Sequence, residues 1–133
     1  MPRVENIESV NAFFARVLNA GDLASLGALA RPDVLVPESQ SGVEGLVRHL
    51  SALRSTFSDP EYRVVDTIAD GEKVAVRFSA KATHSGKYMG IPATGRRLKL
   101  WGVMIFRFDG GSIAEFWSLV DAQSVLEQLR SPG

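Results

Sequence analysis

Lys73-Val74-Ala75-Val76-Arg77-Phe78-Ser79-Ala80-Lys81-Ala82-Thr83-His84 decides the fold. Val74, Val76, Phe78, Ala80, Ala82 and His84 fall on one face of this stretch. Lys73, Arg77, Ser79, Lys81 and Thr83 fall on the other. Strict period-two alternation marks a strand with one buried face. Upstream, Asp70-Gly71 is a turn pair that ties it to a strand over Tyr62 to Ala69. Downstream, a loop from Gly86 to Gly95 leads into a strand over Arg96 to Phe108, with Leu98, Leu100, Met104, Phe106 and Phe108 in phase. Trp101, Val103 and Ile105 are apolar in the opposite phase, which predicts cover on both faces there. Asp109-Gly110-Gly111 turns the chain into a strand over Ile113 to Val120, and a short helix over Ala122 to Leu129 follows.

The first part of the chain reads as helix. Ile7, Val10, Phe14, Val17 and Leu18 recur at helical spacing up to Gly21, and Asp22 is placed to cap a second helix over Leu23 to Ala30. Arg31-Pro32-Asp33 ends that helix, and Val34-Leu35-Val36 reads as a short strand. A third helix spans Val43 to Phe57 and closes at Ser58-Asp59-Pro60. Helices followed by a meander of strands predict an α+β fold, with all strands antiparallel where the turns are hairpins. The sheet must cover its apolar face, so it curves over the N-terminal helices. A curved antiparallel sheet wrapped over helices is a cone, and a cone is a ligand pocket.

The chain has 133 residues, 15 Lys and Arg against 15 Asp and Glu, and no cysteine. That is one domain, 1–133, without disulfides or thiolate metal sites. Zero net charge argues against nucleic acid as a partner. No apolar run approaches bilayer length, and Met1-Pro2-Arg3-Val4-Glu5 lacks the apolar stretch of a signal peptide, so a cytoplasmic location and no membrane partner are expected. His49 and His84 are far apart and show no metal-ligand spacing. Gly90 to Gly95 has the glycine spacing of a phosphate loop, but Arg96-Arg97 stands where Lys-Ser/Thr is required.

His84 ends the apolar face of its strand, so its ring points inward. It is either a rim histidine bonded to backbone or a donor and proton carrier in the pocket. Asp121 shares even spacing with Ile113, Glu115, Trp117 and Leu119, unless a twist or bulge turns Glu115 to solvent, the usual fate of glutamate. On an inward face Asp121 is an acid with a raised pKa. Equally, it directly precedes a helix and reads as its N-cap, unless Ser124 and Glu127 form the capping box. Asp33 and Glu38 read as turn and surface residues near a loop that could close the pocket. Trp101 and Trp117 read as core, a role that overlaps with pocket wall in a cone. Phe14, Val36, Met104 and Tyr88, with Glu115 and the two tryptophans, complete the expected substrate lining. His49 lies off the apolar stripe of its helix and is expected to be exposed.

Thr83-His84-Ser85-Gly86-Lys87-Tyr88-Met89-Gly90-Ile91-Pro92-Ala93-Thr94-Gly95-Arg96 resembles a segment of SnoaL-like polyketide cyclases. Phe106 to Trp117, with Asp121 and Gln128-Leu129, resembles that family's closing strand and helix, and Asn19 to Asp22 and Arg31 to Asp33 match its early helix boundaries. The resemblance covers nearly the whole chain. It implies the cone-shaped α+β barrel of the nuclear-transport-factor-2 type, a homodimer through the sheet, and a mechanism without metal or cofactor. It implies Asp121 as the acid/base of an intramolecular aldol ring closure and His84 on the pocket wall. Many members carry a polar residue, often histidine, where this chain has Val36, so a more apolar pocket floor is expected.

The expected function is cofactor-free acid/base chemistry on an apolar carbonyl compound: aldol cyclisation or a related isomerisation. Epoxide hydrolysis in the same cone is a second enzymatic reading, with Glu115 and Arg107 beside the water. A non-catalytic domain holding a lipophilic ligand is a third, and needs no titrating acid.

Overall fold

A computed structural model describes residues 2–37 and 41–131. Helix α1 (Pro2–Ala12) runs on into a π-helical segment, Phe13–Asn19. A short turn of helix, Leu23–Ser25, leads into α2 (Leu26–Leu29), and β1 (Ala30–Leu35) and α3 (Gly42–Thr56) follow. The rest is β2 (Phe57–Asp70), β3 (Lys73–His84), β4 (Arg97–Asp109), β5 (Ser112–Val120) and α4 (Ala122–Arg130).

One five-stranded sheet in the order β1-β5-β4-β3-β2 curves over the helices without closing on itself. The meander β2 to β5 is antiparallel, as its turns require. Gly71 (φ 59°) holds the left-handed position of the β2–β3 turn, which a side chain would strain. β1 is the exception to an all-antiparallel sheet: it lies parallel to β5. It joins the sheet ahead of α3 and three further strands, so no hairpin dictates its direction. β2 also begins earlier than the alternation suggests. Ser58-Asp59-Pro60 ends the helix but belongs to the strand, where a register shift and a positive φ at Asp59 absorb the break.

The inward faces of β3 (Val74, Val76, Phe78, Ala80, Ala82, His84) and β4 (Leu98, Leu100, Met104, Phe106, Phe108) are buried as their alternation requires. They pack against Val10, Phe13, Phe14, Val17 and Leu18. Phe13, Phe106 and Phe116 meet with ring centroids 5.3–5.5 Å apart. Phe14 joins Tyr62 and Phe78 in a second aromatic group.

Two amide side chains act as substitute strand partners at the sheet edges. Asn19 accepts from the Tyr62 N–H (2.6 Å) and donates to its carbonyl (3.0 Å). Gln128 on α4 does the same for Lys99 of β4, at 2.9 and 2.8 Å. β5 stops opposite Gly102, so α4 continues the edge that β5 leaves open.

Candidate functional site

β5 is governed by a bulge. Arg107 pairs with Glu115 and Phe108 with Ile113, so Ala114 is an extra residue on β5. An extra residue reverses the facing of everything after it. Ile113, Ala114 and Phe116 are buried, whereas Trp117 is 49% and Leu119 75% exposed. The expectation that Ile113, Trp117 and Asp121 share an inward face is therefore corrected: Trp117 and Leu119 stand outside, opposite Ile105 and Val103 of β4.

Asp121 is exposed and caps α4, its Oδ1 accepting from the Ser124 N–H at 3.1 Å. It does not sit in a dry interior. The Ser124–Glu127 capping box does not form; the Ser124 hydroxyl instead accepts from the Trp101 indole N–H at 3.3 Å. Glu115 is likewise outward and braced, with one oxygen accepting from Arg107 Nε (3.0 Å) and the other from the Trp117 indole (2.8 Å). Asp33 is ion-paired to Arg31 (3.1 Å), which also reaches Asp109 (3.3 Å). The hydrogen bond and charge of Arg31 hold the Asp33 carboxyl below its usual range. Glu38 lies outside the described residues.

His84 faces inward with a relative exposure of 0%. The Thr94 backbone N–H reaches its Nδ1 at 3.2 Å, and the Thr94 hydroxyl lies 2.9 Å from the same nitrogen. A backbone N–H can only donate, so Nδ1 is an acceptor and the neutral ring carries its proton on Nε2. Nε2 has no hydrogen-bond partner among the described residues. The Phe57 ring lies 6.3 Å from the imidazole, and Tyr88 packs edge-on against Phe57 at 5.1 Å. Burial raises the Tyr88 hydroxyl pKa. Thr94 is the residue that strand reading missed, because it reaches His84 from the loop.

Phe14 and Met104 lie in the packed core. A void between helices and sheet, beside Leu50, Phe57 and Tyr62, is about 10 Å³, room for one water at most. A larger groove of about 690 Å³ lies at the β5 edge. Its floor is Val36 and Phe116, its walls include Trp117, Leu119 and Ile105, and the exposed His49 borders it. Trp101 is outward and lines another depression. The expected site residues thus separate into four places: His84 with Tyr88, Val36 with Trp117 and Glu115, Asp121 with Trp101, and Phe14 with Met104 in the core. Among the described residues no three His, Asp or Glu side chains converge on a metal position, and no helix is long and apolar enough to cross a membrane.

Solved structures share this architecture. TsrD of Streptomyces laurentii superposes with a TM-score of 0.86 at 26% identity, over 98% of each chain. IdmH of Streptomyces antibioticus, a proposed polyketide cyclase, gives 0.80 at 28% identity over 95% of this chain and 99% of its own. AclR of Streptomyces galilaeus, a proposed hydroxylase, gives 0.82 at 25% identity over 98% and 99%. A comparison with curated proteins gives no match. The family model of the SnoaL-like polyketide cyclases matches residues 8–129, from within α1 to the last turn of α4, and takes in the whole curved sheet and the His84 segment. The chain belongs to that family.

Proposed function

We propose that this chain is a small-molecule enzyme that moves a proton at an apolar carbonyl compound, in a cyclisation or isomerisation of the polyketide type, with His84 as the hydrogen-bond donor to the substrate oxygen. The observation that carries this reading is the buried imidazole whose Nδ1 is fixed by Thr94 and whose Nε2 has no partner among the described residues. A buried unpaired donor costs about 1–3 kcal/mol, and a substrate oxygen reaching Nε2 removes that cost. Nε2–H donates to that oxygen and stabilises the charge developing on it, while the proton leaving the neighbouring carbon passes to solvent water, since Nε2 already carries its own proton and Nδ1 is held by Thr94. Phe57 and Tyr88 are the rings such a substrate displaces. Asp121, held as a helix cap, has no proton role in this reading.

The test is proton exchange at the acidic C–H of apolar ketones and 1,3-diketones in D2O, followed by NMR. The protein should accelerate exchange, and His84→Phe should reduce it by about 10²-fold or more while circular dichroism shows an intact fold. Undiminished exchange by a folded His84→Phe protein refutes the reading.

Under this reading a second copy of the chain covers the outer strip of Val103, Ile105, Trp117 and Leu119, since exposed apolar patches of this kind mark interaction sites. The groove favours a second reading, a lipophilic-ligand-binding domain without turnover, because its volume suits a drug-sized ligand and its walls are apolar. The two compete for the same strip. A dimer in solution favours the first, and a monomer that binds apolar ligands without exchange favours the second.

A further inference from the structure

Neither reading uses the other end of the outer sheet face. There Lys81 of β3 and Lys99 of β4 stand directly opposite each other, both exposed. Like charges at opposed positions weaken strand pairing. The acid across from Lys81 on β2 is Glu61, and its carboxylate is committed to Arg97 at 2.6 Å. Arg63, two residues along β2 and opposite Ser79, makes no ion pair among the described residues. Among the described residues three cations without an ion pair therefore gather here, beside one carboxylate already paired to Arg97, on a chain whose net charge is zero.

Trp101 continues the same face of β4, also opposite Ser79, and is 45% exposed. Its indole N–H is tied to Ser124 at 3.3 Å, which fixes the ring plane instead of leaving it free to swing. Arg63, Ser79, Lys81, Lys99 and Trp101, with Glu61, line a depression of about 520 Å³. That volume suits a drug-sized ligand. A fixed aromatic surface beside unneutralised ammonium and guanidinium groups is complementary to a flat ring carrying negative charge.

We propose that this depression binds a planar aromatic anion, its carboxylate or phenolate between Lys81 and Lys99 within reach of Arg63, and its ring against Trp101. Binding offsets the repulsion that the lysine pair imposes on the free protein.

The experiment is a titration of the ¹⁵N-labelled full chain with 2-naphthoate, its neutral amide 2-naphthamide, and acetate. 2-Naphthoate should give saturable shifts at the Ser79, Lys81 and Lys99 amides and the Trp101 indole, and bind about tenfold or more tightly than either control. Added salt should weaken it. The double variant Lys81→Gln/Lys99→Gln should lose naphthoate affinity by about tenfold or more and melt higher than the parent. Loss of binding with gain of stability is the signature of charges kept for a ligand; a purely structural pair moves stability alone. Equal affinity for 2-naphthamide, equal affinity for acetate, shifts centred elsewhere, or undiminished binding by the folded double variant each overturn the proposal.

Discussion

Asp121 is the residue at which family expectation and local geometry diverge most, and a pair of substitutions separates them. Its Oδ1 accepts from the Ser124 N–H at 3.1 Å, satisfying one of the four unpaired N–H groups at the start of α4. Alanine removes that bond, at a cost of about 0.5–2 kcal/mol. The carboxylate is exposed, and α4 is also held by Gln128 on Lys99 and by Arg96 on its last carbonyls. The middle of the range, about 1 kcal/mol, is therefore expected. A chain of 133 residues gains about 0.3 kcal/mol per degree in unfolding entropy, so Asp121→Ala should lower the melting temperature by about 4 °C. Asparagine caps a helix nearly as well as aspartate, so Asp121→Asn should melt within about 2 °C of the parent. Thermal unfolding by circular dichroism reads both, and deuterium exchange reads turnover on the same samples. Asp121→Asn should keep turnover. An asparagine variant that melts with the parent and has lost turnover refutes the reasoning, and makes Asp121 the proton carrier.

Burial pushes the Tyr62 hydroxyl from 10.0 up to about 12. A raised folded-state pKa gives a contribution present below pH 10 and lost as pH rises towards 12, by about 3 kcal/mol. Urea midpoints should fall across that window, and much less so in Tyr62→Phe. Gln128→Leu removes both bonds to the Lys99 backbone and should cost about 1–3 kcal/mol, with faster hydrogen exchange at the Lys99 amide. Gly102→Ala would set a Cβ against the Leu119 carbonyl and 2.9 Å from the Phe78 ring, so a loss of about 1–3 kcal/mol or more is expected in denaturant titration. Ile105→Glu on the outer strip should shift the chain to a monomer in sedimentation if a second copy covers it; an unchanged oligomeric state removes the strip from the interface.

The fold was legible where periodicity is strong. β3 and β4 alternate without interruption, and each inward residue predicted for them is buried. α3 shows a clear apolar stripe, and its ends lie within one residue of those expected. The parallel partner of β5 was not legible, since pairing direction across a long excursion leaves no local mark. The aromatic filling of the cone was not legible either. Phe13, Phe106 and Phe116 come from three separate elements, and only the fold brings the rings together.

The candidate site followed the same division. His84 was found because it closes an unbroken alternation, and nothing between Val74 and His84 disturbs the phase. For Asp121 the same arithmetic along β5, where one residue breaks it, left the inward acid and the helix cap as equal readings, and the family resemblance supplied the catalytic one. Ala114 is small and apolar and fits either face, so the sequence around it carries no sign of a bulge. Yet that bulge turns Trp117 and Leu119 outward and brings Phe116 in to join Phe13 and Phe106. Even spacing is evidence of a shared face only as far as the pairing register is continuous. For Asp121, a side-chain bond to the third N–H of the following helix outranks a phase count carried across seven residues and a register shift. For His84 the competing tie, the Thr94 backbone N–H on Nδ1, leaves Nε2 buried and without a partner among the described residues, and that nitrogen is the stronger warrant for chemistry in this chain.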